Sequence, residues 1–111
     1  MSESAAGRIS HRDKDGNLLE LLEWGRLYED YDYRRIAETN LEGDVLVRTM
    51  WEGLDAGIHG GGCMFHTGLR QNGQWQCVWE GQYPCTVAEA EAAHESVVAS
   101  VRESPTSPNQ E

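Results

Sequence analysis

Alternation of apolar and polar positions marks out strands in the middle of the chain, and helical spacing marks out its two ends. From Asp44 to Glu52, Val45, Val47, Thr49 and Trp51 share one face, while Leu46, Arg48, Met50 and Glu52 share the other. That period of two is the signature of a half-buried strand. The segment Tyr33 to Thr39 and the turn Asn40-Leu41-Glu42-Gly43 precede it, so the two strands are predicted to pair as a hairpin. A second hairpin joins Cys63–Arg70 to Gln74–Gln82 through Asn72-Gly73. A type I′ turn needs positive φ at both central positions, which Asn and Gly accept at low cost. Within the last strand, Trp75, Cys77 and Trp79 are expected to point one way.

Leu18, Leu21, Trp24, Leu27, Tyr28 and Tyr31 recur at helical spacing, with Asn17 as N-cap and Glu20 three residues on. They predict a helix over about 18–30. Thr86-Val87-Ala88-Glu89 reads as a capping box, with a Thr N-cap and Glu at the third helical position. It opens a helix to about Arg102 whose apolar face is Val87, Ala90, His94, Val97, Val98 and Val101. About sixteen residues span roughly 24 Å, enough to cross a four-stranded sheet. The predicted fold is therefore α+β: a four-stranded antiparallel sheet of two hairpins, with an N-terminal and a C-terminal helix packed on one face. Residues 13–103 form the single domain, flanked by polar, aperiodic tails at 1–12 and 104–111 that are expected to be disordered.

Composition narrows the function classes. The 111 residues carry nine Lys+Arg against nineteen Asp+Glu, a formal charge of −10. Between Asp13 and Glu103 the acids again exceed the bases by ten, so the acidity belongs to the domain and not to a tail. An excess of this sign argues against direct binding to nucleic acid, whose phosphates need Lys and Arg. No apolar run approaches the roughly 18 residues of a membrane helix, and the opening residues lack the basic start and apolar stretch of a signal peptide. Three cysteines, Cys63, Cys77 and Cys85, make an odd number without a secretory address. A disulfide framework is not expected and a cytoplasmic setting is.

Motifs for chemistry are sparse. Placing Gly16 at the sixth position of a calcium loop puts His11 at the first and Leu22 at the twelfth, where an acid and a bidentate Glu are required. His11–Gly16 reads instead as a turn. His59, Cys63, His66, Cys77 and Cys85 are zinc-type ligands, yet Cys63 and His66 lie three apart in a predicted strand, so their side chains face opposite ways. The loop Gly57–Gly62 lacks the Lys and Ser/Thr of a phosphate-binding loop. His94 on an apolar helix face reads as a core histidine. With no paired catalytic groups in view, no enzyme, metal or cofactor is predicted. A loop site of His59, Cys63 and His66 stands as the small-ligand or metal alternative, and self-association through an exposed Trp51, Trp75 or Trp79 as another.

The acids themselves are the remaining candidate. Carboxylates spread over a small rigid domain imitate a phosphate track and fit a basic groove on another protein; the plain alternative is a solubilising surface. The acids that would carry such a contact are Glu29, Asp30, Asp32, Glu42, Asp44, Glu52, Asp55, Glu89, Glu91 and Glu95. Eight Arg to one Lys suits defined hydrogen-bonded pairs, so part of the acid is expected to be paired internally.

Asp13-Lys14-Asp15-Gly16-Asn17, Glu23-Trp24, Asp32-Tyr33-Arg34-Arg35-Ile36-Ala37 and Val47–Asp55 resemble small accessory proteins of actinobacterial phages and prophages, as do Phe65-His66-Thr67 and Thr86 with Glu89-Ala90 and His94. The likeness spans about residues 13–102. It departs at Gly61-Gly62-Cys63-Met64, where that group has Gly-Pro-Pro-aliphatic, and at Phe65-His66-Thr67, where it has Phe-Glu-Thr. The resemblance brings no settled activity. It implies a cytoplasmic phage-type protein that binds and disables a host protein, including one of the host's defence machinery, in the manner of an anti-CRISPR inhibitor.

Overall fold

The structure, a computed structural model, describes residues 9–56 and 62–103. It is α+β. Strand β1 (Ser10–Arg12) is followed by β2 (Leu18–Leu19), helix α1 (Leu21–Tyr28), a short helix α2 (Tyr31–Arg34), β3 (Arg35–Leu41) and β4 (Val45–Trp51). Then come β5 (Leu54–Asp55), β6 (Phe65–Gln71), β7 (Gln74–Gly81) and α3 (Val87–Glu103). The long strands form an antiparallel sheet in the order β3-β4-β6-β7, and the short ones a second sheet, β2-β1-β5.

Both predicted hairpins are present. Asn72 and Gly73 adopt φ of 55° and 77°, the conformation a type I′ turn demands. In register, Val47 lies opposite Thr39 and Leu69, and Thr49 opposite Ala37 and Thr67. The α3 face of the sheet is thereby lined by two apolar clusters, one around Trp51, Met64, Phe65 and Ala90, the other around Val47, Leu69 and Val98. Between them runs a polar seam. His94, only 1% exposed, sits with Nδ1 2.9 Å from Thr49 Oγ1 and Nε2 2.9 Å from Thr39 Oγ1, and Thr49 Oγ1 is 2.6 Å from Thr67 Oγ1. A neutral imidazole offers one donor and one acceptor, and hydroxyls serve as either, so every group in the seam has a partner. Burial lowers the His94 pKa from its ordinary value, while the Glu95 charge opposes the shift.

The capping box of α3 forms as expected: Glu89 Oε1 accepts from the Thr86 N–H at 2.9 Å and Thr86 Oγ1 from the Glu89 N–H at 3.1 Å.

Other expectations are corrected. Ser10–Arg12, assigned above to a disordered tail, pair with β2 and β5; residues 1–8 and 104–111 lie outside the described residues. The single first helix is replaced by β2, α1 and α2. Leu18 pairs with Arg12 in the small sheet, and Glu20, not Asn17, caps α1, its N–H donating to Glu23 Oε1 at 3.2 Å. Helix α3 crosses the four-stranded sheet and touches all four strands, whereas α1 packs against β1 and α2. It reaches the end of β4 through Trp24 Nε1, which donates to the Glu52 carbonyl at 2.9 Å. The β6–β7 register shifts between Thr67 and Gly68. An extra residue in one strand turns the side chains beyond it to the other face, so Trp79, opposite Thr67, joins the α3 side while Trp75 and Cys77 face away. Trp51 is fully buried and forms no exposed contact.

Candidate functional site

The ten acids proposed as a partner surface do not form one patch. Glu52 and Asp55 are turned inward, with side chains 14% and 19% exposed. Asp55 Oδ2 accepts from Arg12 Nε at 3.0 Å, so it ties β5 to β1. The others distribute over three places. Glu29, Asp30 and Asp32 surround the α1–α2 junction, where Asp30 caps α2 by accepting from the Tyr33 N–H at 3.2 Å and Asp32 lies 3.4 Å from Arg35. Glu42 and Asp44 occupy the β3–β4 turn, with Asp44 3.1 Å from Arg70. Glu89, Glu91 and Glu95 lie on α3, Glu89 engaged in the cap. Glu29, Glu42, Glu91 and Glu95 are exposed, and make no ion pair or side-chain hydrogen bond with another described residue.

The surface that sequence reasoning missed lies on β2 and the first turn of α1. Leu18, Leu21 and Leu22 are 66%, 63% and 78% exposed. Periodicity had put Leu18 and Leu21 on the buried stripe with Trp24, Leu27 and Tyr28, but only the last three pack against the core. The break at β2 uncouples Leu18 from the helix, and the capping box starts α1 so that Leu21 and Leu22 both project outward. Leu22, out of phase with the stripe, was the available signal. Gly25, whose missing side chain would meet nothing within 4 Å, leaves a shallow notch of about 370 Å³ beside Leu21, Leu22 and Trp24. Exposed Glu20, Glu23, Glu29 and Asp30 lie along and beside the same helix, as does the exposed base Arg26. Three large exposed leucines within five residues are the kind of patch that marks an interaction site.

Comparison with protein-family models, curated proteins and solved structures finds no match to this chain.

Glu52 and His66, assigned from sequence to two different sites, meet in one internal hub. Glu52 Oε2 accepts from Arg34 Nη2 and from His66 Nδ1, each at 2.9 Å, and Oε1 accepts from the Tyr28 hydroxyl at 3.2 Å. Arg34 Nε donates to the Trp51 carbonyl at 3.2 Å, and its guanidinium lies 3.9 Å over the Tyr28 ring. Burial pushes the Glu52 carboxyl upward, yet the His66 hydrogen bond and the charges of Arg34 and His66 hold it below its ordinary range. The hub links α1, α2, β4 and β6 and is structural chemistry, not a free acid surface.

Two of the three residues of the loop alternative, Cys63 and His66, lie among the described residues, and His66 is engaged by Glu52. Cys63 is buried, and desolvation together with the charges of Glu80 and Glu52 pushes its thiol up to about 12, so it stays protonated at neutral pH. His59 lies outside the described residues. Among the described residues no group of three His, Cys, Asp or Glu is placed to hold a metal ion, and no helix is long and apolar enough to cross a membrane.

Proposed function

We propose that this protein is a binding module that seats the leucine ridge of β2 and α1 in an apolar socket on another protein whose rim is basic. The observation that carries the reading is the exposure of Leu18, Leu21 and Leu22 beside exposed carboxylates. Covering the remaining exposed area of three leucines contributes about 1–2 kcal/mol each before the cost of association. That alone falls short of tight binding, so the neighbouring acids supply steering and selection for a basic partner. A host protein with a nucleic-acid-binding groove has that character. Inhibition of such a protein in the bacterial cytoplasm, including one of the host's defences, is the activity in keeping with the charge of −10 and the phage-type resemblance. Self-association through the same ridge would set Glu20, Glu23 and Glu29 against their own copies across a two-fold axis, which like-charge repulsion disfavours.

The test is capture from nuclease-treated host extract by wild type and by two double variants, Leu21→Asp/Leu22→Asp and Glu20→Lys/Glu23→Lys, with light scattering of each protein alone. The reading expects one stoichiometric partner, weakened by salt, lost with the leucine variant and reduced with the lysine variant. A partner retained by the leucine variant overturns the ridge. A wild-type dimer that the leucine variant dissociates replaces a foreign partner with a second copy.

A further inference from the structure

The sheet face turned away from α3 carries a second, chemically different site. Arg48, Met50, His66 and Gly68 alternate along β4 and β6 with the α3-facing residues, and together with Trp75 from β7 and Tyr31 and Arg34 from α2 they wall an open cleft of about 400 Å³. That volume lies in the range of small-molecule sites. In a chain with nineteen acids, none of the described residues lining this cleft is Asp or Glu.

The cationic and ring groups are held before any ligand arrives. Arg48 Nε donates to Glu38 Oε2 at 2.8 Å, leaving Nη1 and Nη2 without an acceptor among the described residues. Its guanidinium lies 4.9 Å from the centre of the Trp75 ring and 5.6 Å from that of Tyr31. Trp75 is 46% exposed and lies across Gly68, where an added Cβ would come 3.1 Å from Trp75 Cε3. The missing side chain thus lets the indole lie down on the sheet and keeps the cleft open. Because the Glu52 carboxylate only accepts, His66 Nδ1 carries the hydrogen between them. Nε2 of the same ring has no partner among the described residues.

We propose that this cleft binds a small planar aromatic acid. Its carboxylate or phosphate engages the free edge of Arg48, its ring stacks on Trp75, and a polar ring substituent hydrogen-bonds with His66 Nε2. Groups fixed by Glu38, Glu52 and Gly68 lose little freedom on binding. The site is separate from the leucine ridge and stands or falls without it.

Isothermal titration of the full chain with 4-hydroxybenzoate and with adenosine 5′-monophosphate tests the proposal and separates carboxylate from phosphate. Their uncharged counterparts, 4-hydroxybenzamide and adenosine, serve as controls. Expected is 1:1 saturation by one anion, accompanied by tryptophan quenching and at least about tenfold tighter than its control. Arg48→Gln should weaken it by about ten- to a hundredfold, the worth of one charge-assisted hydrogen bond. Trp75→Leu should weaken it as well. Both side chains are partly exposed, so the variants remain folded by circular dichroism. Absence of saturation by either anion up to about 10 mM overturns the proposal. So does binding that is indifferent to charge, or unchanged in both folded variants.

Discussion

Replacing Glu52 by Gln and by Ala separates charge from shape at the hub. The amide of Gln has nearly the outline of the carboxylate. Its oxygen keeps the position that Arg34 Nη2 and His66 Nδ1 address at 2.9 Å, and its NH2 group meets the Tyr28 hydroxyl, which turns from donor to acceptor. The Arg34 ion pair becomes a bond from a cation to a neutral amide, and the His66 and Tyr28 bonds lose the acceptor's charge, so Glu52→Gln is expected to cost about 2 kcal/mol in all. Ala leaves the Arg34 guanidinium without its counter-charge and the other donors unmatched, and about 3–5 kcal/mol is expected. At about 4–8 °C per kcal/mol for a domain this small, the Gln variant melts about 8–16 °C lower. Urea unfolding followed by tryptophan fluorescence, with an unchanged m-value, measures both. The carboxyl is held below its ordinary value of 4.5, so its stabilisation is full above that pH and is lost as pH falls toward the folded value. The gap between wild type and Glu52→Gln should accordingly narrow in acid. Equal losses for Gln and Ala would refute the charge argument, and losses below about 0.5 kcal/mol for both would refute the hub itself.

His94 gives a second acid limb at higher pH. Its folded pKa is lowered from 6.5, so the folded state resists protonation and stability falls as pH drops below that value; urea midpoints between pH 7.5 and 5 should show the decline, and His94→Gln should flatten it. Thr86→Ala removes the α3 cap and should cost about 1 kcal/mol with activity at either proposed site untouched. Gly73→Ala forces a Cβ into φ of 77° and should cost about 1–2 kcal/mol, read as a lowered melting temperature.

The long strands and α3 were legible because each carries a repeated local signal: alternation in Val45–Trp51, Asn72-Gly73 between β6 and β7, and the Thr86–Glu89 box ahead of a valine stripe. The small sheet was not. Strands of two or three residues have no period to detect, and β1 finds β5 through Ser10 and Asp55, far apart in sequence. A helical period read across Leu18 therefore absorbed β2. One register shift was enough to split Trp75 from Trp79, since a strand's faces are defined only between bulges. The hub escaped for a different reason. Alternation put Glu52 opposite Trp51, but nothing local says that Tyr28, Arg34 and His66 converge on it. The acid count thus included carboxylates that the fold uses for itself, Glu52 and Asp55 inside it and Asp30 and Glu89 at helix caps.

The seam of Thr39, His94, Thr49 and Thr67 acts as a key. Oily surfaces slide past one another at little cost, and a helix lying on valines and alanines has many nearly equivalent seats. Moving α3 by one turn, or β4 by one residue against β6, would strand an imidazole and hydroxyls in an apolar setting at about 1–3 kcal/mol for each unmatched group. Only one seating avoids that penalty. The apolar clusters on either side are therefore free to exchange one aliphatic residue for another of similar volume, because alignment of helix and sheet does not depend on their shape.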